Sequence, residues 1–144
     1  MIRHAGLVAR RAQGRWRGVL IEGPSGAGKS DLALRALEQG FRLVADDRVL
    51  LWVSGGRLFG RAPDALAGLL EVRGVDVVEV PALAYAEVAL VVRCGDPERI
   101  PEPQAADLLG VRLPAVTLPA LEASAAAKLS RALARFDGFY DRRM

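Results

Sequence analysis

The residues Gly23-Pro24-Ser25-Gly26-Ala27-Gly28-Lys29-Ser30 match the pattern G-x-x-x-x-G-K-[ST] without a mismatch, and they restrict the possible folds more than anything else in the chain. Such a loop needs a strand before it and a helix after it. Gly18-Val19-Leu20-Ile21-Glu22 reads as a short buried strand. Residues 31–39 read as a helix, which Gly40 stops where a left-handed cap is cheapest. In that setting the glycines let consecutive backbone N–H groups converge on phosphate oxygens, and the helix N-terminus adds partial positive charge. The implied ligand is a nucleoside triphosphate, with Lys29 on its β- and γ-phosphates and Ser30 on a Mg²⁺.

The chain has 144 residues, which suits one domain, 1–144, with little room for a separate lid. Hydrophobic residues make up 51% and charged residues 26%, the balance of a folded chain and not of a disordered one. Net charge is +3, with the basic residues scattered apart from Arg10-Arg11, Arg15 and Arg17, and Arg142-Arg143. A nucleic-acid surface needs a contiguous basic face, so these arginines read as a solvated surface and no nucleic-acid partner is expected. Cys94 is the only cysteine, which excludes an intrachain disulfide or a cysteine-based metal site and fits a reducing compartment. With no base beside it, Cys94 reads as a small half-buried side chain and not as a nucleophile. The sequence has neither an apolar run of roughly 18 residues nor a signal-peptide core, so a cytoplasmic protein without a membrane partner is expected.

Residues 6–9 and 16–21 read as paired strands joined by a basic turn, and 41–45 as a short apolar strand ending in Asp46-Asp47. Residues 48–53 and 57–60 form a hairpin around Ser54-Gly55-Gly56. A short helix is expected over 63–70, a strand with one wet face over 75–80, and a buried strand over 87–92. A Pro-rich loop, 95–103, leads to a short helix at 105–109. Residues 111–118 then read as a strand that Pro114 consigns to a sheet edge. An alanine-rich helix over 121–136 carries Leu129, Leu133 and Phe136 on one stripe. The fold class is therefore α/β, a P-loop domain with a mixed central sheet and flanking helices.

The acids that could hold a metal or move a proton come next. An apolar strand ending in Asp46 and Asp47 delivers carboxylates to the edge where an open α/β sheet binds its ligands. Adjacent strand residues face opposite ways, so at most one of the two can address the phosphates. A salt bridge to Arg42 or Arg48 is the competing explanation. Glu71 with Arg73 two residues on could coordinate Mg²⁺ and clamp a phosphoryl group, or form an ordinary surface ion pair. His4 is a lone histidine near the start of the sheet, and Trp16 and Trp52 read as packing residues.

Six ordered segments together resemble the HPr kinase/phosphorylase family: His4-Ala5-Gly6, the loop 23–30, Arg42-Leu43-Val44-Ala45-Asp46-Asp47-Arg48-Val49, Gly60-Arg61-Ala62-Pro63, Leu70-Glu71-Val72-Arg73-Gly74, and Leu113-Pro114-Ala115-Val116-Thr117-Leu118-Pro119. The resemblance is to the catalytic domain without the N-terminal domain that many members carry. It implies an ATP- and Mg²⁺-dependent serine kinase acting on HPr, the phosphocarrier of the phosphotransferase system, and a homo-oligomer, a hexamer in that family. It also implies roles. Lys29 matches a catalytic lysine, Ser30 and Glu71 match Mg²⁺ ligands, Asp47 matches the proton acceptor, and His4 matches an active-site histidine.

Two segments depart from the pattern. The loop expected to hold an active-site arginine is shortened to Gly95-Asp96-Pro97-Glu98-Arg99, leaving Arg99 as the match. The basic segment tied to the reverse, phosphorylase reaction is replaced by Ala120-Leu121-Glu122-Ala123-Ser124-Ala125, so that activity is not expected to follow. Two other functions use the same loop: a small-metabolite kinase, which needs a concave pocket with an extra polar anchor, and a non-catalytic ATP sensor, in which no acidic residue moves a proton.

Overall fold

The structure, a computed structural model, describes residues 1–140; Arg142 and Arg143 lie outside them. Eleven strands and two helices alternate in the order β1 (Ile2–Arg3), β2 (Ala5–Ala12), β3 (Arg15–Glu22), α1 (Lys29–Leu37), β4 (Arg42–Ala45), β5 (Val49–Ser54), β6 (Arg57–Arg61), β7 (Leu69–Val72), β8 (Asp76–Glu79), β9 (Ala86–Cys94), β10 (Gln104–Leu108), β11 (Val111–Leu118) and α2 (Ala125–Phe136). Nine strands form a mixed sheet in which β9 is the branch point. It runs parallel to β3 on one side; on the other, β6 pairs antiparallel with its start and β11 parallel with its end. Strands β7 and β8 make a separate hairpin.

Alternation along the strands divides the interior in two. Val8, Val19, Ile21, Leu90 and Val92 share a core with Leu32, Ala33 and Ala36 of α1 and Leu129 and Leu133 of α2. Their strand neighbours Leu7, Ala9, Leu20, Val88 and Val91 point the other way, against Val49, Leu51 and Leu58 of the curled sheet and Leu108 and Leu113. Both helices therefore pack into one of the two cores. In α2 the stripe read from the sequence holds, with Leu129 and Leu133 buried and Phe136 packed beside them.

Several boundaries differ from expectation. The basic turn tightens to Gln13-Gly14, both at positive φ, and the strands run on through Arg10, Arg11 and Arg15. Residues 105–109 are not a helix. They form β10, whose Ala106 and Leu108 are buried in alternation and whose hairpin turn is Leu109-Gly110 at positive φ. Alanines are good helix formers, but the local preference yields here to cross-strand pairing. Strand β11 is not an edge strand: Pro114 faces Ala105 of β10, and the ladder with β9 starts just after it at Ala115. The proline thus sits where no second partner requires its missing N–H. Within 63–70 only Asp64–Leu66 makes a helical turn, of the 3₁₀ kind, because Leu69 and Leu70 are drawn into β7. Finally, α2 starts at Ala125, and residues 119–124 stay outside it.

Gly18 lies where the β3–β9 register shifts, and a methyl group there would fall 2.6 Å from the backbone carbonyl oxygen of Glu87. Carbonyls of a paired strand cannot rotate aside. Gly18→Ala should therefore destabilise the chain by about 3 kcal/mol, the upper end of the range for overpacking. At Gly6 the nearest such atom is 3.7 Å away, so Gly6→Ala should change stability by less than about 1 kcal/mol. Urea melts of the two variants check the contrast, and equal midpoints would contradict it.

Candidate active site

Strands β3, β4 and β2 bring the candidate residues to one edge of the sheet. Strand β3 ends at Glu22 and opens the phosphate loop, β4 ends at Ala45 and delivers Asp46 and Asp47, and antiparallel β2 begins there at Ala5. Glu22 pairs with Ala5 in the ladder and accepts the Arg3 Nε–H at 3.2 Å. The Ala5 N–H donates to the Asp47 carbonyl at 3.2 Å, which sets the exposed His4 next to the Asp47 backbone.

Inside the loop Gly26 and Gly28 take φ values of 82° and 99°, a region open to glycine and strained for other residues. Lys29 folds back over the loop, its Nζ donating to the carbonyls of Gly23 at 2.6 Å and Pro24 at 3.0 Å. Gly28 precedes α1 without a side-chain cap. The N–H groups of Lys29, Ser30 and Asp31 find no acceptor among the described residues, leaving the helix start open to an anion.

Asp46 is the structural centre of this edge. Only 6% exposed, it accepts the Ser30 hydroxyl at 2.8 Å on Oδ1 and the Glu71 N–H at 3.0 Å on Oδ2. One buried carboxylate thus ties the helix start, the end of β4 and β7 together. Asp47 is turned outward, with its side chain 69% exposed and 3.8 Å from Arg48 Nε. The anticipated Asp47–Arg48 contact is therefore present at the surface. The backbone at Asp47 has φ 69°, and the Arg48 N–H reaches the Asp46 carbonyl at 2.8 Å, which closes a tight three-residue turn. A non-glycine residue in such a turn stores strain, and strain of this kind gathers at functional sites.

The other candidates are arranged more loosely. Glu71 lies in β7 with its backbone on Asp46, whereas Arg73 falls in the following turn and forms no ion pair with it. The strand that carries Glu71 ends at Val72, so Arg73 does not continue it. Arg99 stands exposed in the loop after β9 and makes no hydrogen bond or ion pair with another described residue. Among the described residues no group of three or more His, Cys, Asp or Glu side chains could hold a metal ion by itself. Cys94 lies at the end of β9 against Gly23, where an added methyl group would be 2.9 Å from its Cβ. Burial raises the thiol pKa, and the charge of nearby Lys29 opposes that rise, so Cys94 stays protonated as a packing residue should.

Residues 15–92, more than half of the chain, match the model of the HPr Serine kinase C-terminal domain. The chain belongs to this family. Among curated relatives, the HPr kinase/phosphorylases of Clostridium tetani and Clostridium acetobutylicum are each 48% identical over 66 residues, which is 46% of this chain and 22% of theirs. The HPr kinase relatives are thus matched over about a fifth of their length. A solved structure, the Hpr(Ser) kinase/phosphatase from Coxiella burnetii, superposes with a TM-score of 0.79 over 94% of this chain and 95% of that one. At 24% identity it establishes the HPr kinase fold, in agreement with the α/β P-loop class read from the sequence. No helix among the described residues is long and apolar enough to cross a membrane.

Sequence reading missed two parts of this edge. The Asp46 clamp on Glu71 is a side-chain-to-backbone bond between segments far apart in the chain, which no local pattern encodes. The second is a strap over α1: Arg35 donates from Nη1 to the Glu122 carbonyl at 2.7 Å, and also binds the Ala120 carbonyl and the Asp31 carboxylate. Arg35 and Asp31 at helical spacing were the available signal.

Proposed function

We propose that the chain is an ATP- and Mg²⁺-dependent kinase that transfers a phosphoryl group to a serine of an HPr-like phosphocarrier protein. The observation that carries this reading is the Ser30–Asp46 hydrogen bond of 2.8 Å next to Lys29 and the open helix start. The Ser30 hydroxyl and the Asp46 and Glu71 carboxylates offer hard oxygen donors. Mg²⁺ is typically held by such a set of one or two carboxylates with substrate phosphates. When bound there, the ion neutralises charge on the β- and γ-phosphates.

The chain's own residues do the rest. Lys29 exchanges the Gly23 and Pro24 carbonyls for phosphate oxygens, and the N–H groups of Lys29, Ser30 and Asp31 receive the remaining charge. The serine Oγ of the acceptor attacks the γ-phosphorus as the bond to the ADP oxygen breaks, and its proton passes to the Asp47 carboxylate. An exposed Asp47 suits a whole protein as acceptor, because the hydroxyl arrives from solvent on a docked surface. His4, held beside Asp47 by the Ala5–Asp47 bond, lines that approach. A cytoplasmic homo-oligomer, hexameric as in the family resemblance, belongs to the same reading, with Arg99 as its active-site arginine.

The test is incubation of the chain with Mg-ATP and a purified HPr-like protein, followed by mass spectrometry. A single phosphate on a serine is expected. An unlabelled carrier together with a phosphorylated small acceptor would mean a metabolite kinase, and ATP binding without turnover of either would mean a sensor.

A further inference from the structure

We propose that Leu121 is the shelf on which the nucleoside end of the bound nucleotide rests, and so a specificity-determining residue; this rests on the nucleotide reading given above. The parallel strands β3, β9 and β11 end together, with Glu22 paired to Arg93 and Leu118 to Cys94. Ligands of such sheets bind in the crevice beyond those ends. A nucleotide is longer than its phosphates, so its sugar and base must leave the phosphate loop over a neighbouring segment. On the β4 side that space belongs to Asp46, Asp47 and His4. On the β11 side it belongs to residues 119–124.

That segment is fixed rather than loose. Arg35 holds the carbonyls of Ala120 and Glu122, and the Glu122 N–H closes a turn on the Pro119 carbonyl at 2.9 Å. With its flanking carbonyls turned to Arg35, Leu121 projects its side chain alone, 68% exposed, while Ala120 beneath it is buried. The inner side of Leu121 lies against the last loop glycine: a methyl group on Gly28 would fall 2.6 Å from its Cδ2. A large apolar side chain clamped beside a phosphate loop, with its outer side bare, offers the apolar face that a ribose or a purine ring covers.

Calorimetry with Mg-ATP and with Mg-pyrophosphate separates the shelf from the phosphate site. Leu121→Ser is expected to weaken ATP binding about fivefold, the scale of a partly buried leucine side chain, and to leave pyrophosphate binding unchanged. Leu121→Met should retain the wild-type affinity for ATP, because bulk and polarity are kept. ATP affinity unchanged in Leu121→Ser overturns the shelf and leaves the nucleotide reading standing. Equal weakening of ATP and pyrophosphate overturns it too, since Leu121 would then only shape the loop. A wild-type chain that binds neither ligand removes both proposals together.

Discussion

Asp47→Asn is expected to keep ATP affinity and thermal stability while lowering phosphoryl transfer to the serine acceptor about 100-fold or more, the scale of a positioned base. The substitution is clean on structural grounds. Asparagine has the same shape, tolerates the positive φ that Asp47 adopts, and loses only a loose surface contact with Arg48 at 3.8 Å. Asp47→Gly sharpens the test. It relieves the strained turn, so it should melt no lower than wild type while being equally poor in turnover. Asp46→Ala should behave differently. It leaves both the Ser30 hydroxyl and the Glu71 N–H without their partner at a buried position, so this variant should lose stability as well as activity. Turnover of Asp47→Asn within threefold of wild type in the transfer assay would take Asp47 out of the mechanism.

Arg17→Ala is expected to destabilise the chain by about 3–5 kcal/mol, the range for removing one partner of a buried ion pair. Arg17 sits at the end of the sheet opposite the phosphate loop, with its side chain 8% exposed. It grips both carboxylate oxygens of Asp137, just past α2, at 2.6 to 3.1 Å. Its Nη1 lies 2.9 Å from Glu87 Oε1 on β9, in contact but off the line of its N–H bonds. Burial works to lower the Arg17 pKa, but the hydrogen bonds to Asp137 and the charges of Asp137 and Glu87 outweigh it and raise the pKa. The guanidinium therefore stays charged at every working pH. Arg15 and Arg57, each 3.8 Å from Glu87, give that carboxylate partial relief, whereas Asp137 has no second cation among the described residues. Arg11→Ala, on an exposed arginine over Trp16, is the control and should change stability by less than about 0.5 kcal/mol. Thermal melts that move equally for the two variants would refute the clamp.

These two residues mark how far the sequence alone reaches. The strand, phosphate loop and helix are legible because the whole device lies in one short run with its stop signal at Gly40, and Gly40 does take a positive φ. The β5–β6 and β2–β3 hairpins are legible because turn residues punctuate them. Strand alternation allowed at most one of Asp46 and Asp47 to address the phosphates, and the structure sets Asp46 on Ser30 and turns Asp47 outward. Alternation could not say which, because the tight turn at Asp47 begins where the strand stops and periodicity no longer applies. The helix expected at 105–109 failed for a different reason: its alanines carry helix preference but too little apolar contrast to reveal a period of two. The role of Arg17 was beyond any local reading, since Asp137 is 120 residues away.

The parallel register of β3 and β9 also governs how the chain comes together. Glu22 finds Arg93 only after two intervening hairpins and a helix have been threaded between them. The local hairpins are therefore expected to zip first and leave the sheet's middle seam open, with the crevice beyond the strand ends formed last, at the slow, entropy-limited closure of that distant pairing.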